Sequence, residues 1–437
     1  MKRGKRIFIG ICCVALLLVS WLIVAKTKSA SQKQADLLDK ALAMMNNGIY
    51  VGAVPLLEEA AEYKTDNTLV VEEYLKEAYL ELIETRGYRK KYRTLLDMQM
   101  KREDADPDVF AQAALHYIEA AQISNALEIL RKGIEKTSSQ MLIELYEENR
   151  YVYETNRATY SHASEIFESK AQVNKEGLWG LASAEGNLLI PCQYEAISTY
   201  SNDRAIVKKD EEIYAVNIDN NRIALLETAA TEFGNLADNR IALLLEEGWI
   251  RATGEFEIGT AVFEEIGMYC GGYAAAKVNG KWGVVDLSLN WLVPAEFDGI
   301  VQDELGRCWG QGAVFVRQSE AVFMLVNGQQ VGQPYDDARP FSQEGYAAVK
   351  NNGKWGFVDI EGNLLIEYCF DDALSFGQHL AAVRLDEFWG YISRYGELVI
   401  EPIFEEAKSF SGGSAPVLTA RGWQFITLLE YRKGAGL

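Results

Sequence analysis

The sequence predicts a multidomain chain in three parts: a transmembrane helix, then an all-α region, then an all-β tandem-repeat array forming a propeller-like ring or an open superhelix. Three observations predict it. An uncharged run, Ile7 to Ala25, lies between basic flanks; apolar residues recur at helical spacing from Gln32 to Asn149; and beyond Tyr160 a large aromatic returns roughly every 34 residues among short β-type runs. The corresponding segments are 1–30, 31–149 and 150–437, the last holding about eight units.

The first thirty residues carry Lys2, Arg3, Lys5 and Arg6 before the apolar run and Lys26 and Lys28 after it. Nineteen residues rising about 1.5 Å each span roughly 28 Å, close to the hydrocarbon thickness of a bilayer. A cleavable signal peptide has a shorter apolar region and a small-x-small site, whereas Lys28-Ser29-Ala30 places a lysine where a small residue belongs. Residues 7–25 therefore read as a retained single-pass anchor. The basic excess on its N-terminal side puts the tail in the cytoplasm and the bulk of the chain outside it.

The net charge of −20 is uneven, because the first thirty residues hold six bases and no acid, leaving −26 on the other 407. So acidic a remainder is a poor match for nucleic acid. Cys192, Cys270, Cys308 and Cys369 form no Cys-x-x-Cys pair and read as isolated thiols, with no disulfide assignable. The chain's 49% hydrophobic and 24% charged content is that of a globular protein.

In the helical region, "NNGIYVGAVPLLEEAAEYKTDN" places Gly48, Tyr50, Ala53, Leu57 and Ala60 on one helix, ahead of a turn at Asp66-Asn67. Two weaker copies carry Gly87, Tyr88 and Leu95, then Ala126, Leu130 and Gly133. Aligning Ala53, Lys91 and Ala126 gives separations of 38 and 35 residues. The pattern resembles tetratricopeptide-like repeats, which implies a groove for peptides or proteins; a plain helical stalk is the alternative. The cluster Arg86, Arg89, Lys90, Lys91 and Arg93, interleaved with Tyr88 and Tyr92, reads either as a lipid-headgroup contact or as a solvated helix face.

In the β array, "GYAAVK" reads as a strand, Asn352-Gly353 as a tight hairpin turn, "KWGFVD" as the return strand and "LLI" as a third strand. The Trp-type positions are Trp179, Tyr214, Trp249, Trp282, Phe323, Trp355, Trp389 and Trp423, separated by 35, 35, 33, 41, 32, 34 and 34 residues. A second aromatic series, Tyr160, Tyr194, Phe233, Phe263, Phe297, Tyr335, Phe370 and Phe404, runs in step ahead of it. Trp179-Gly180, Trp282-Gly283, Trp355-Gly356 and Trp389-Gly390 keep a Trp-Gly dipeptide, while Trp249 and Trp423 keep only the indole. The array resembles the Trp-Gly, or KWG, repeat family over roughly residues 160–430. Burying an aromatic removes roughly 150–250 Å² from water, so these residues are expected to be structural, each indole lying against backbone that a strand glycine leaves bare. The run Arg150–Glu154, "RYVYE", is a lone β-like segment that would close the ring if it completed the last unit.

No catalytic motif accompanies the repeats. His116, His162 and His379 have no partner at metal-ligand spacing, and Gly280-Lys281 and Gly353-Lys354 are followed by Trp rather than Ser or Thr. The pairs Glu264-Glu265, Asp336-Asp337, Asp371-Asp372 and Glu405-Glu406 recur just after the second aromatic, which suits a repeated turn better than an acidic calcium site. No catalytic, metal or cofactor residue is expected. The expected function is a non-enzymatic, membrane-anchored bacterial envelope protein that binds protein partners through both regions. The alternative is an ectodomain binding cell-wall glycan or other carbohydrate, and a degenerate hydrolase is the third reading.

Overall fold

The computed structural model describes residues 29–227 and 229–432. The chain divides into two compact units, with the boundary between Glu148 and Asn149. Among the described residues the first unit holds seven helices: 29–45, Tyr50–Glu62, Thr68–Glu81, Tyr88–Met100, Pro107–Glu119, Ile123–Thr137 and Gln140–Asn149. Their stops follow local chemistry. The buried Gln34 amide donates to the carbonyls of Ala60 (3.0 Å) and Tyr63 (2.7 Å) at the end of the second helix, adding to the backbone bonds they accept from Tyr63 and Thr65. Asp106 caps the fifth helix by accepting from the Asp108 N–H at 3.0 Å, with Pro107 at the first helical position. At Gly133 a Cβ would stand 2.7 Å from Leu142 and 2.8 Å from Phe110, so the residue is small because neighbouring helices approach there.

Three parts of the expected architecture need correction. The transmembrane helix, Ile7 to Ala25, lies outside the described residues, and among those described no helix is long and apolar enough to cross a membrane. The tetratricopeptide-like reading does not stand either, because its three equivalent positions differ in kind. Ala53 and Ala126 are fully buried, whereas Lys91 is exposed and pairs with Glu58 at 2.7 Å. Three of the five bases of the cluster meet partners: Arg89 meets Glu84 (2.8 Å), Lys91 also the Tyr88 ring (5.4 Å), and Arg93 the Tyr117 ring (4.8 Å).

The open superhelix is the third correction, since the array closes. Among the described residues the second unit holds eight four-stranded antiparallel sheets. Blades 1 to 7 are continuous in sequence, at 162–194, 196–225, 232–263, 265–297, 299–335, 337–370 and 372–404. Blade 8 takes three strands from 406–428 and its fourth from Tyr153–Thr155, paired to Leu428, Thr427 and Ile426. Tyr160 then bridges Trp423 with a pair of backbone hydrogen bonds, each 3.0 Å, sealing blade 8 to the start of blade 1. A closed ring leaves no blade stack ending in bare sheet.

Within a blade the period is local. In blade 6, Ala347–Asn351 and Lys354–Val358 are joined by Asn352-Gly353, both with positive φ (51° and 81°), the requirement of the tight hairpin turn that asparagine and glycine meet. Trp355 pairs with Phe370 on the fourth strand, Leu364–Phe370, and the next ladder pair is Phe357 with Ile366. Two residues therefore advance on one strand while four advance on the other. Blades 1, 4 and 7 repeat this between Trp179/Leu181 and Tyr194/Ile190, Trp282/Val284 and Phe297/Val293, and Trp389/Tyr391 and Phe404/Ile400. The bulged strand presses its backbone onto the skipped residue, which is the Trp-Gly glycine. A Cβ on Gly180, Gly283, Gly356 or Gly390 would meet the carbonyl oxygen of Ile190, Val293, Ile366 or Ile400 at 2.4–2.6 Å. The glycine is thus demanded by the outer strand of its own blade, not by a neighbouring indole. Where the dipeptide degenerates, the irregularity moves: in blades 2 and 3 Ala215 pairs with Ala224 and Ile250 with Val262 and the ladder shifts just after them, while in blade 5 the skipped residue is Phe323.

The second aromatics also have a different partner from the one sequence order suggests. In six of the eight blades the second aromatic pairs back to the Trp-type residue that precedes it, as Trp179 with Tyr194 and Trp389 with Phe404, with Tyr160 serving Trp423 across the ring seam; Phe233 pairs instead with Leu243 and Tyr335 with Val322. Trp355, Trp389 and Trp423 are buried in blade cores; Trp179, Trp249 and Trp282 are half-buried.

Two outcomes follow for stability, read by tryptophan fluorescence because eight of the nine tryptophans lie in the β unit. Trp355→Ala is expected to destabilise the ring by about 3–5 kcal/mol, and Gly356→Val by about 1–3 kcal/mol as its new side chain displaces the Ile366 carbonyl. At the seam, Val152 accepts from the Leu429 N–H and Asn156 donates to Phe425, so the alternation of the antiparallel ladder puts the Glu154 N–H toward Thr427. Glu154→Pro should lower the thermal midpoint of the ring by at least about 4 °C and Thr155→Pro by less; equal midpoints in both would show that the seam does not hold the ring.

Candidate functional site

The eight links between blades are short, and six of them are a single acidic residue: Glu195, Glu264, Asp298, Asp336, Asp371 and Glu405. Each donates its N–H to the second strand of the next blade, as Asp336 to Lys350 and Asp371 to Arg384. The side chains of five of them also accept from a hairpin-turn N–H of that blade, at Asp210, Gly280, Ser319, Gly353 and Asp386. The lysine of Lys-Trp-Gly completes the joint, with Lys281 on Asp298 (2.7 Å) and Lys354 on Asp371 (2.6 Å). These lysines and backbone donors hold the Asp298 and Asp371 carboxyls below the usual carboxylate range. The recurring carboxylates are therefore structural joints. Among the described residues no group of three or more His, Cys, Asp or Glu is placed to hold a metal ion.

The histidines are dispersed. His116 sits in the helical unit edge-on to Tyr92; His162 lies 5.5 Å from the Trp179 ring and 5.7 Å from that of Trp423; His379 contacts Glu344 and Arg394, each at 3.0 Å. Cys192, Cys270, Cys308 and Cys369 are free thiols, and burial pushes Cys308 up to about 12.

The polar residues that converge lie at the ring centre, where the segments after the first strands of the blades meet. In blade 5 that segment is longer, and it contains Asp303, Glu304, Leu305, Gly306 and Arg307. Asp303 folds it by accepting from the N–H groups of Leu305 and Arg307, both at 3.0 Å, while Gly306 takes a φ of +90°. The turn reaches across the ring. Arg307 pairs with Asp303 at 2.5 Å and with Glu165 of blade 1, the blade opposite in an eight-membered ring. Glu304 accepts from the backbone N–H of Glu165 and from Lys408 of blade 8, the latter at 2.6 Å. The Leu305 carbonyl accepts from Asn235 of blade 3 at 3.0 Å, and its side chain packs with Ala237, Met268 and Phe167. Asn235 in turn accepts from Gln172 of blade 1 and from the Thr199 N–H of blade 2, both at 3.0 Å. One loop thus plugs the axis and ties six blades together.

Electrostatics in the plug are set by burial. Glu165 is 9% exposed, and desolvation, with added repulsion from Asp303 and Glu304, pushes its carboxyl up to about 7 against the pull of Arg307 and Lys408. Arg307 and Lys408 stay charged although burial opposes it, because Asp303 first of all holds the one and Glu304 the other. The sequence carried one sign of this loop, the 41-residue gap between Trp282 and Phe323 in a series that otherwise runs from 32 to 35.

Residues 179–212, 248–282, 335–355, 355–387 and 389–420, all in the β unit, match the family model of the WG containing repeat; the match reaches none of the helical unit. No curated protein matches the chain. Among solved structures the chain is similar to Hsv2 of Kluyvelomyces marxianus, at 7% identity and a TM-score of 0.38, over 58% of this chain and 100% of that one. It is similar to YCF48 from Cyanidioschyzon merolae at 11% identity and a TM-score of 0.34, over 64% and 99%. The Neurospora crassa Pan2 WD40 domain gives 11% identity and a TM-score of 0.32, over 61% and 88%. The C-terminal unit thus matches the WG containing repeat over five segments and folds as an eight-bladed, propeller-like ring.

Proposed function

We infer that the protein is a non-enzymatic scaffold that holds protein partners on the rim of its ring. One observation supports this above others. The fourth strand of each blade is a sheet edge, and such edges are normally blunted by charge or proline. Pro191 and Pro294 blunt the middle of the blade 1 and blade 4 edges, but Leu188 and Leu189 in blade 1, Ile223 and Leu225 in blade 2, Trp291 and Leu292 in blade 4, and Leu364 and Leu365 in blade 6 are exposed on those strands. Apolar side chains beside open backbone donors and acceptors suit a protein segment that lies along the edge. Carbohydrate recognition through the repeat tryptophans has less support, since Trp355, Trp389 and Trp423 are inside the blades.

The envelope location rests on the sequence of residues 2–28, which lie outside those described. Protease added to intact spheroplasts is expected to digest residues 30–437, and full protection would overturn that placement.

For the rim, the paired changes Leu364→Lys and Leu365→Lys, and separately Leu188→Lys and Leu189→Lys, should leave stability within about 0.5 kcal/mol per residue because the side chains are exposed. Cross-linking in cells followed by identification of adducts should show a set of proteins captured by the parent and reduced at least about tenfold in one of the variants, the loss expected when an interface anchor worth over 1 kcal/mol is removed. Identical adducts in all three proteins would remove the rim from the binding surface.

A further inference from the structure

The central plug encloses an odd carboxylate. Glu165 from blade 1 and Asp303 and Glu304 from the blade 5 loop face two cations, Arg307 from the same loop and Lys408 from blade 8. The side chains of Glu165, Asp303 and Lys408 are 11%, 15% and 10% exposed. Two more groups touch the cluster's edge. Glu406 meets Lys408 at 3.0 Å but is open to solvent, and Cys270 faces Arg307 as a neutral thiol whose ionisation burial opposes. Arg307 and Glu304 are more open, at 26% and 29%, so three carboxylates against two cations leave one negative charge uncompensated in a largely buried site, or one proton bound.

We propose that the loop Asp303–Arg307 is a proton-operated latch at the ring axis: the seated loop holds a proton on Glu165, and losing that proton loosens the loop. Seating ties blade 5 to blades 1, 3 and 8; release frees the centre of the ring and leaves the blade-to-blade joints intact. The geometry selects Glu165 as the carrier. Glu304 is satisfied by Lys408 and by a backbone N–H, and Asp303 by the Arg307 guanidinium and two backbone N–H groups. Among the described residues the Glu165 carboxylate accepts from Arg307 alone, which it shares with Asp303.

The direction of the effect follows from linkage. The Glu165 carboxyl titrates at about 7 when seated and near its ordinary 4.5 when released to water. A seated group with the higher pKa binds the proton more tightly, so its contribution is full below the released value and is lost as pH rises through the seated one. Acid seats the plug and alkali loosens it. With those two values the opening equilibrium rises about tenfold between pH 6 and pH 8.

Hydrogen exchange on the full chain, corrected for the pH dependence of the intrinsic rate, measures this at the amides of residues 303–309. The expected result is about a tenfold fall in protection from pH 6 to pH 8 there, with amides at the Trp355–Phe370 pair unchanged. Glu165→Gln, which keeps the shape and removes the titration, should hold protection constant across that range. Lys408→Met removes a cation and should move the midpoint to higher pH, an outcome independent of whether Glu165→Gln folds. Protection that is flat with pH in the parent, a dependence that survives in Glu165→Gln, or a midpoint unmoved or lowered in Lys408→Met would each overturn the latch.

Discussion

The β unit depends on one short pairing, that of Tyr153–Thr155 with Ile426–Leu428. A single repeat of about 34 residues makes a four-stranded sheet too small to bury both its faces, so every blade relies on two neighbours. In a linear stack the terminal blades would each lack one. By borrowing its fourth strand from the start of the unit, blade 8 gains its missing edge, and Tyr160 gains Trp423, in the same step. Fully buried side chains such as Phe425, in the core at the seam, and Tyr391, in a core shared with blade 8, owe their burial to this arrangement.

Much of the β unit was legible in the sequence because its determinants are local. Asn352-Gly353 gives a tight turn wherever it stands between two β runs, and the tryptophan period survives in the one-dimensional record. The run Arg150–Glu154 pointed to closure with the right strand to within three residues, since Tyr153–Thr155 is what pairs. The reason for each Trp-Gly glycine was not legible. It depends on a two-residue excess in a strand that begins eight residues or more downstream, and no local pattern announces a bulge. The pairing of aromatics was likewise misordered, because Phe370 precedes Trp389 in a repeat alignment but packs against Trp355 behind it.

The plug was the least legible part. Glu165 and Arg307 are 142 residues apart, and nothing in either neighbourhood marks them as partners. Only the irregular spacing before Phe323 registered the insertion, and a spacing shows length, not destination. In the helical unit the error had the opposite cause: a weak period was extended through Lys91, where the side chain is exposed and paired with Glu58 and cannot do what Ala53 and Ala126 do.

The seam has a consequence for how the chain acquires its structure. Blades 1 to 7 are each contiguous segments and can form as their residues leave the ribosome, but the closing strand must wait some 270 residues, the separation of Thr155 from Ile426, for its partner. Joining ends so far apart costs loop-closure entropy that grows only as about (3/2)RT ln n, so the barrier lies less in the free energy than in the delay. Throughout that delay Tyr153 and Thr155 form an unmatched β segment, open to pairing with the growing edge of another chain. The ring's last contact to form is then also the contact most open to exchange between copies. Its resistance to that exchange is set by the rate of synthesis against the rate of encounter, a kinetic property that the finished ring no longer displays.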